Sequence, residues 1–273
     1  IVTLDAKLPM NEMIPITEAD VDTLRNSRSR LKVGPRHSRR ELLQLALMSS
    51  ENRAASALSR SYPGGRPAFI VAMNKKAKEL GMRNTRFSEG TGLDSGNVST
   101  ARDLVKLVRA GFKYPLIREI TTTPKYELKQ GTVLHYNNTN PLFKDRNWQI
   151  GLSKTGYIKP SGHCLVMQTE VVQKPLIIVL LDAAQRGGVS ADSNRIKRWF
   201  TKLLGSTKLA ARDTDVGDET SKIDDIIAEE QIIEGGAAYS IAEDDVTGNS
   251  GISITPARVR TQFETARPLA ISP

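Results

Sequence analysis

The sequence predicts an α+β protein: an antiparallel sheet flanked by helices, with an all-α lobe at about 38–120. Three observations predict it. Apolar residues recur at helical spacing through the first half, with cap signals at several segment ends. Three apolar stretches then follow one another, at about 147–157, 163–172 and 175–183. Their short connections leave no room for a crossover, so these strands must run antiparallel. Finally, about 190–204 carries Ile196, Trp199, Phe200 and Leu203 on one helical face.

Residues 1–10 read as the last turns of a helix, stopped by Pro9. With no initiator Met, the expectation is a mature or truncated product that opens inside an element. Met13 to Thr17 reads as extended, and a polar, basic loop follows to about 36. Ser38 and Glu41 form a capping-box pattern ahead of the apolar turn Leu42, Leu43, Leu45, Ala46 and Leu47. That helix breaks at Met48 to Asn52, and a second runs from about Arg53 to Arg60. Tyr62-Pro63-Gly64-Gly65 is a turn. Phe69, Ile70, Met73, Ala77 and Leu80 mark a helix over 66–80, with Gly81 as its C-cap. Residues 82–98 read as loop. Ser99 or Thr100 caps a helix to about Ala110, and Tyr114 to Ile120 continues helically. Thr121 to Arg146 reads as a meander of short extended pieces.

Composition narrows the functional classes. With 39% apolar residues in 273, a sizeable core is available. No stretch reaches the roughly 20 apolar residues of a membrane span, and Ile1-Val2-Thr3-Leu4 shows no signal peptide. The single cysteine, Cys164, excludes an internal disulfide and a Cys-rich zinc site, and its apolar setting reads as a small buried hydrophobe. His37, His135 and His163 lack metal-ligand spacing and read as structural or exposed, so neither metal nor cofactor is expected. Asp94 and Asp103 read as turn and cap residues.

Residues 205–273 hold 6 Lys and Arg against 13 Asp and Glu, a net of −7, which leaves 1–204 at +16. A basic body suits nucleic acid, anionic lipid or an anionic cell-wall polymer, or is plain solubility charge. Scattered basic residues, few aromatics and no recognition motif argue against nucleic acid. The acidic, weakly periodic 205–273 reads as a disordered tail with a marginal helix at 222–234. The expected division is therefore a domain over 1–204 and a tail over 205–273.

Two short patterns carry chemistry. Lys154-Thr155-Gly156 ends a strand that begins near Trp148. Lys154 offers a positive charge and proton relay, Thr155 a hydroxyl for a carboxylate, and Gly156 lets a ligand backbone lie close to the strand. The backbone N–H of Tyr157 can serve as an oxyanion donor. Alone, Lys-Thr-Gly arises by chance. Ser50-Glu51-Asn52 sits where the apolar helix breaks, so its side chains can point into a cleft. Ser50 could relay a proton there, and Asn52 could bind a substrate amide. The plainer alternative is a helix end followed by an ordinary N-cap.

Together these patterns carry a family resemblance. The run from Glu41 to Ala55, Leu80-Gly81-Met82-Arg83-Asn84-Thr85-Arg86-Phe87, Thr91-Gly92-Leu93-Asp94 and Asn97 to Leu104 resemble the low-molecular-mass penicillin-binding proteins. Lys154-Thr155-Gly156 and Gly162-His163-Cys164-Leu165-Val166 do so too. The likeness is to their D-alanyl-D-alanine endopeptidase and carboxypeptidase branch, over roughly 1–204. It implies a β-lactamase/transpeptidase-like fold lacking its first strands and the start of the nucleophile helix. It implies a serine acyl-transfer mechanism on peptidoglycan stem peptides or crosslinks, β-lactams as alternative acylating agents, and a periplasmic, extracytoplasmic location, with a peripheral place at the inner membrane as the further expectation.

The resemblance assigns proton relay to Ser50, substrate positioning to Asn52 and carboxylate binding to Lys154 with Thr155. It places a Ser-x-x-Lys about ten residues before Ile1. Ser29-Arg30-Leu31-Lys32 fits that expression in a basic, extended setting unsuited to a buried, deprotonatable lysine. Ser95-Gly96-Asn97 imitates the Ser-x-Asn pattern but falls in a segment that is structural in the family. Gly90 stands where the family usually has Pro. The 273-residue chain is thus expected to be inactive alone; the alternative is a non-catalytic peptidoglycan-binding homologue.

Overall fold

The structure, a computed structural model, describes residues 1–213 and the short pairs 233–234 and 237–238. The central sheet has three antiparallel strands in sequential order, β5 (Gln149–Ile158), β6 (Gly162–Val171) and β7 (Lys174–Ala183). Alternation along β6 and β7 sends their side chains to two faces. Leu165, Met167, Ile178 and Leu180 meet Trp148, Leu142 and the helix α7 (Gly188–Asp213) through Val189 and Ile196. On the opposite face, Val166, Ile177 and Val179 meet Ala101 and Val105 of α5 (Ala101–Phe112).

A second core lies under the helical half. It joins Leu42, Leu45 and Met48 of α2 (Arg39–Met48) to Ala54, Ala57 and Leu58 of α3 (Asn52–Arg60). Ile120 of α6 (Pro115–Thr122) completes it with Leu128 and Tyr136 from the hairpin β3 (Lys125–Gln130) and β4 (Thr132–Asn137). Gly131 sits at the hairpin turn with φ +72. The expected capping box at α2 forms: Ser38 Oγ accepts from Glu41 N at 3.2 Å, and Glu41 Oε2 accepts from Ser38 N at 2.8 Å. The remaining elements are α1 (Val2–Asp5), β1 (Met13–Pro15), β2 (Arg36–Ser38) and α4 (Gly65–Glu79), with Gly81 at φ +71 after α4.

Several expectations are revised. The loop before Ser38 ends in β2, which pairs with β1 through Met13–Ser38, Ile14–His37 and Pro15–Arg36, a pairing too short to leave a periodic signal. The meander at 121–146 is one hairpin plus a 3-10 turn at Pro141–Lys144. The helical block is not a separate lobe, because α5 and α6 pack on the sheet, with Val108 and Ile117 against Leu152. α7 continues past residue 204 to Asp213 through Lys-, Leu- and Ala-rich sequence that favours helix. Ile233–Glu234 pairs with Ala237–Ala238, while the rest of the tail, including 222–232, lies outside the described residues. Cys164 is half-buried rather than buried, its Sγ 3.3 Å from Ser161 O.

Candidate active site

α2 stops at Met48, and Ser50 takes a left-handed backbone at φ +55, which costs a non-glycine residue about 1 kcal/mol. This turn starts α3 at Asn52 without help from Glu51, whose side chain makes no capping bond. The ordinary N-cap alternative is therefore not what forms. The strained turn instead presents Ser50 to the sheet, where its Oγ accepts a hydrogen bond from Lys154 Nζ.

Lys154 reaches that position because β5 changes face. The register of β5 against β6 shifts between Ile150 and Leu152, a bulge centred on Gly151. Ile150 packs with the α7-side core and Leu152 with the α5–α6 side, although residues two apart on a regular strand share a face. A Cβ at Gly151 would lie 2.2 Å from Gln168 Oε1 and 2.8 Å from the Phe112 ring, so a side chain there would force both neighbours to move. Lys154 Nζ also donates to Thr155 O at 2.7 Å. Withdrawal from water lowers its pKa from 10.5 to about 8, because burial penalises the ammonium form.

A second connection joins the same two walls. Thr155 Oγ1 donates to Thr139 Oγ1 at 2.6 Å, and Thr139 N donates to Met48 O at 3.2 Å. The neighbouring Asn140, buried at 2% exposure, donates from Nδ2 to Ser153 Oγ at 2.9 Å. Sequence reasoning missed both residues. The signal was a polar Asn138-Thr139-Asn140 run between a strand and a Pro-led turn.

Beyond Thr155 the site opens. β5 is the edge of its three-stranded sheet. A Cβ at Gly156 would meet only Cys164 Cβ, at 3.7 Å, so the protein's own packing does not require glycine there. Tyr157 is exposed and stacks on His163 with ring centroids 4.2 Å apart.

Of the expected site residues, the structure directly joins Ser50, Lys154 and Thr155. Asn52 instead donates to Ser27 Oγ at 3.1 Å and lines a separate cavity of about 220 Å³ with Ser56, Arg66 and the loops at Ala19–Leu24 and Glu89–Asp94. The Ser29–Lys32 pair is not a nucleophile: Lys32 is exposed and Ser29 Oγ caps Leu31 N at 3.1 Å. In Ser95-Gly96-Asn97, the Asn97 side chain holds Ser88 N at 2.7 Å, a loop-building role. Asp94 accepts from Gly96 N, and Asp103 from Asn84 N and Thr85 Oγ1, as turn and loop ties.

Comparison with known proteins gives this arrangement its context. A sequence model of the D-alanyl-D-alanine carboxypeptidase family matches residues 1–185. A D-alanyl-D-alanine endopeptidase of Pseudomonas aeruginosa is 47% identical over 202 residues, 73% of this chain and 65% of that protein. One from Escherichia coli is 46% identical over 208 residues, with the same coverages of 73% and 65%. The chain thus spans about 65% of the length of these two curated relatives. Among solved structures, a Streptomyces DD-transpeptidase matches with a TM-score of 0.66 and 27% identity, over 72% of this chain and 84% of that one. The chain therefore shares its mixed α+β fold with the transpeptidase-like structures.

Proposed function

This chain belongs to the D-alanyl-D-alanine carboxypeptidase family, and from that premise we propose that it is the larger part of a serine DD-peptidase acting on peptidoglycan. A serine Oγ attacks the carbonyl carbon of the D-Ala residue, the peptide C–N bond breaks, and the leaving amine takes a proton. Water then hydrolyses the ester. Ser50 relays protons between nucleophile and leaving amine, with Lys154 holding the relay in line. Asn52, whose amide is held by Ser27 Oγ at 3.1 Å in this structure, is assigned the substrate amide by the family resemblance alone. Lys154 binds the substrate carboxylate together with Thr155, whose hydroxyl proton becomes available when Thr139 takes over as donor in the hydrogen bond they share, and substrate backbone lies along the β5 edge at Gly156 and Tyr157, where Tyr157 N–H serves the developing oxyanion.

The observation that carries this reading is the Lys154 ammonium on the Ser50 hydroxyl, 104 residues apart in sequence. The nucleophile belongs to a Ser-x-x-Lys preceding Ile1, because Ser29–Lys32 does not fit the role. The similarity to two endopeptidases favours crosslinks over free stem peptides as substrate. Such a substrate implies an extracytoplasmic, periplasmic site of action; among the described residues, no helix is long and apolar enough to cross a membrane. A β-lactamase reading fares worse. It needs a deacylating glutamate for which the sequence has no convincing motif, and the nearby Glu89 already accepts from Thr91 Oγ1 at 2.6 Å, Leu93 N at 3.0 Å and Asn97 Nδ2 at 2.6 Å.

The test is digestion of crosslinked muropeptides by a longer product that includes a Ser-x-x-Lys before Ile1. Release of monomers identified by mass supports the reading; intact dimers overturn it. The second reading, a non-catalytic peptidoglycan binder, is favoured by the unsuitability of Ser29–Lys32. Retained murein binding without turnover by the longer product supports it.

A further inference from the structure

We infer that Thr139 is a positioning residue, part of a strap that holds the Ser50 turn and the Lys154 strand at working distance. The inference rests on the site reading above but uses atoms which that reading leaves out. Thr139 touches both walls at once. Its backbone N–H and hydroxyl face Met48 O, at 3.2 and 3.4 Å, two residues before Ser50. Its Oγ1 receives the Thr155 hydroxyl at 2.6 Å, one residue after Lys154. Beside the Ser50–Lys154 bond itself, this tie runs from the α2 end to the chemistry-bearing stretch of β5.

The strap is itself anchored. Asn138 Nδ2 donates to Thr121 O at 2.9 Å and Thr123 O at 3.0 Å, fixing the run to the end of α6. Asn138 Oδ1 accepts from Asn140 N at 3.0 Å, and Asn140 Oδ1 from Leu142 N at 3.0 Å, which closes two successive turns. Asn140 Nδ2 reaches Ser153 Oγ, so the strap grips β5 on both sides of Lys154. A polar run with one side-chain tie to each neighbour sets a position more tightly than apolar contact does, because hydrogen bonds are directional.

The hydroxyl of Thr139 is the component with consequences for chemistry. It fixes the rotamer of Thr155, whose carbonyl accepts from Lys154 Nζ. Loss of the Thr139 hydroxyl frees the Thr155 side chain, loosens the β5 approach to Met48 and admits water to the lysine. Preorganisation of this kind is held by residues one layer behind the reacting atoms.

The test uses the 273-residue chain and needs no peptidase activity, so its failure is distinct from failure of the functional reading. Lysine Cε resonances are followed against pH by NMR, with Lys154 assigned through its loss in Lys154→Arg. Thr139→Val is expected to raise the Lys154 midpoint by about half a unit or more as water enters, and Thr139→Ser to keep it at the wild-type value. Thr155→Val removes the same bond from the other side and should reproduce the valine shift. It also decides the matter if Thr139→Val does not fold. An unchanged midpoint in the valine variants, or an equal shift in Thr139→Ser, overturns the positioning role even if the melting temperature falls. In the longer product, penicillin acylation should slow about tenfold in Thr139→Val, the size of one lost hydrogen bond.

Discussion

Asp20 is a buried and Lys154 a half-buried ionisable group, and the protein treats them in opposite ways. Asp20 is 2% exposed, and its carboxylate accepts from Thr17 N, Ser56 Oγ, Arg60 and Arg66. Burial pushes its pKa up, but hydrogen bonds from Arg60 and Thr17 and the Arg60 charge outweigh this and hold it below the usual value. Lys154 has a hydroxyl and a carbonyl as partners, and burial brings it down to about 8. The first arrangement ties the 17–20 turn to α3 and α4. The second leaves a lysine close to neutral pH in its titration, which a proton relay needs and folding alone does not.

Substitutions on the two sides should separate chemistry from stability. The largest expected effect is on chemistry. In the longer product, Ser50→Ala should lower acylation by fluorescent penicillin by about 10²–10⁴-fold, the range for a positioned proton-transfer group. Its stability should fall by only about 1–2 kcal/mol, the size of the lost hydrogen bond from Lys154, because the turn itself does not depend on the hydroxyl.

Next comes Asp20→Ala, which leaves Arg60 and Arg66 without their shared partner. It should cost about 3 kcal/mol in a urea titration. A loss below about 1 kcal/mol would remove the structural half of the contrast.

The pH dependences should run in different windows. Asp20, with its folded pKa lowered, contributes stability that is present above the unfolded value near 3.9 and is lost as pH falls through the folded value. Lys154 contributes stability that is complete above 10.5 and is lost as pH falls toward 8. Lys154→Met should therefore melt as high as wild type or higher at pH 7. Its advantage should shrink between pH 8 and 10.5. A constant difference across that window would show that Lys154 titrates normally.

The smallest effect belongs to the capping box. Ser38→Ala should cost about 1 kcal/mol and leave penicillin acylation unchanged.

What was legible in the sequence was mostly local. Ser38 and Glu41 announced α2, Gly81 closed α4, and three consecutive apolar runs became β5 to β7. Lys154 and Ser50 stood out because their motifs are short and contiguous. The rest depended on contacts between distant segments. Gly151 reads as an ordinary strand residue, and only the proximity of Gln168 and Phe112 shows why a side chain is disfavoured at the bulge that precedes Lys154. Thr139 and Asn140 were invisible as site residues because their partners lie at Met48, Ser153 and Thr155. The packing of α5 on the sheet was also hidden. Its apolar stripe is legible in sequence, but the identity of the surface it covers is not.

Ser50 and Lys154 are proposed to form one wall of a serine DD-peptidase site whose nucleophile precedes Ile1. Fluorescent penicillin labelling decides this, run on the 273-residue chain, on the longer product, and on the longer product with Lys154→Ala. Covalent label is expected on the longer product alone, lost or strongly slowed by the lysine substitution. Labelling of the 273-residue chain itself, or full labelling without Lys154, would contradict it.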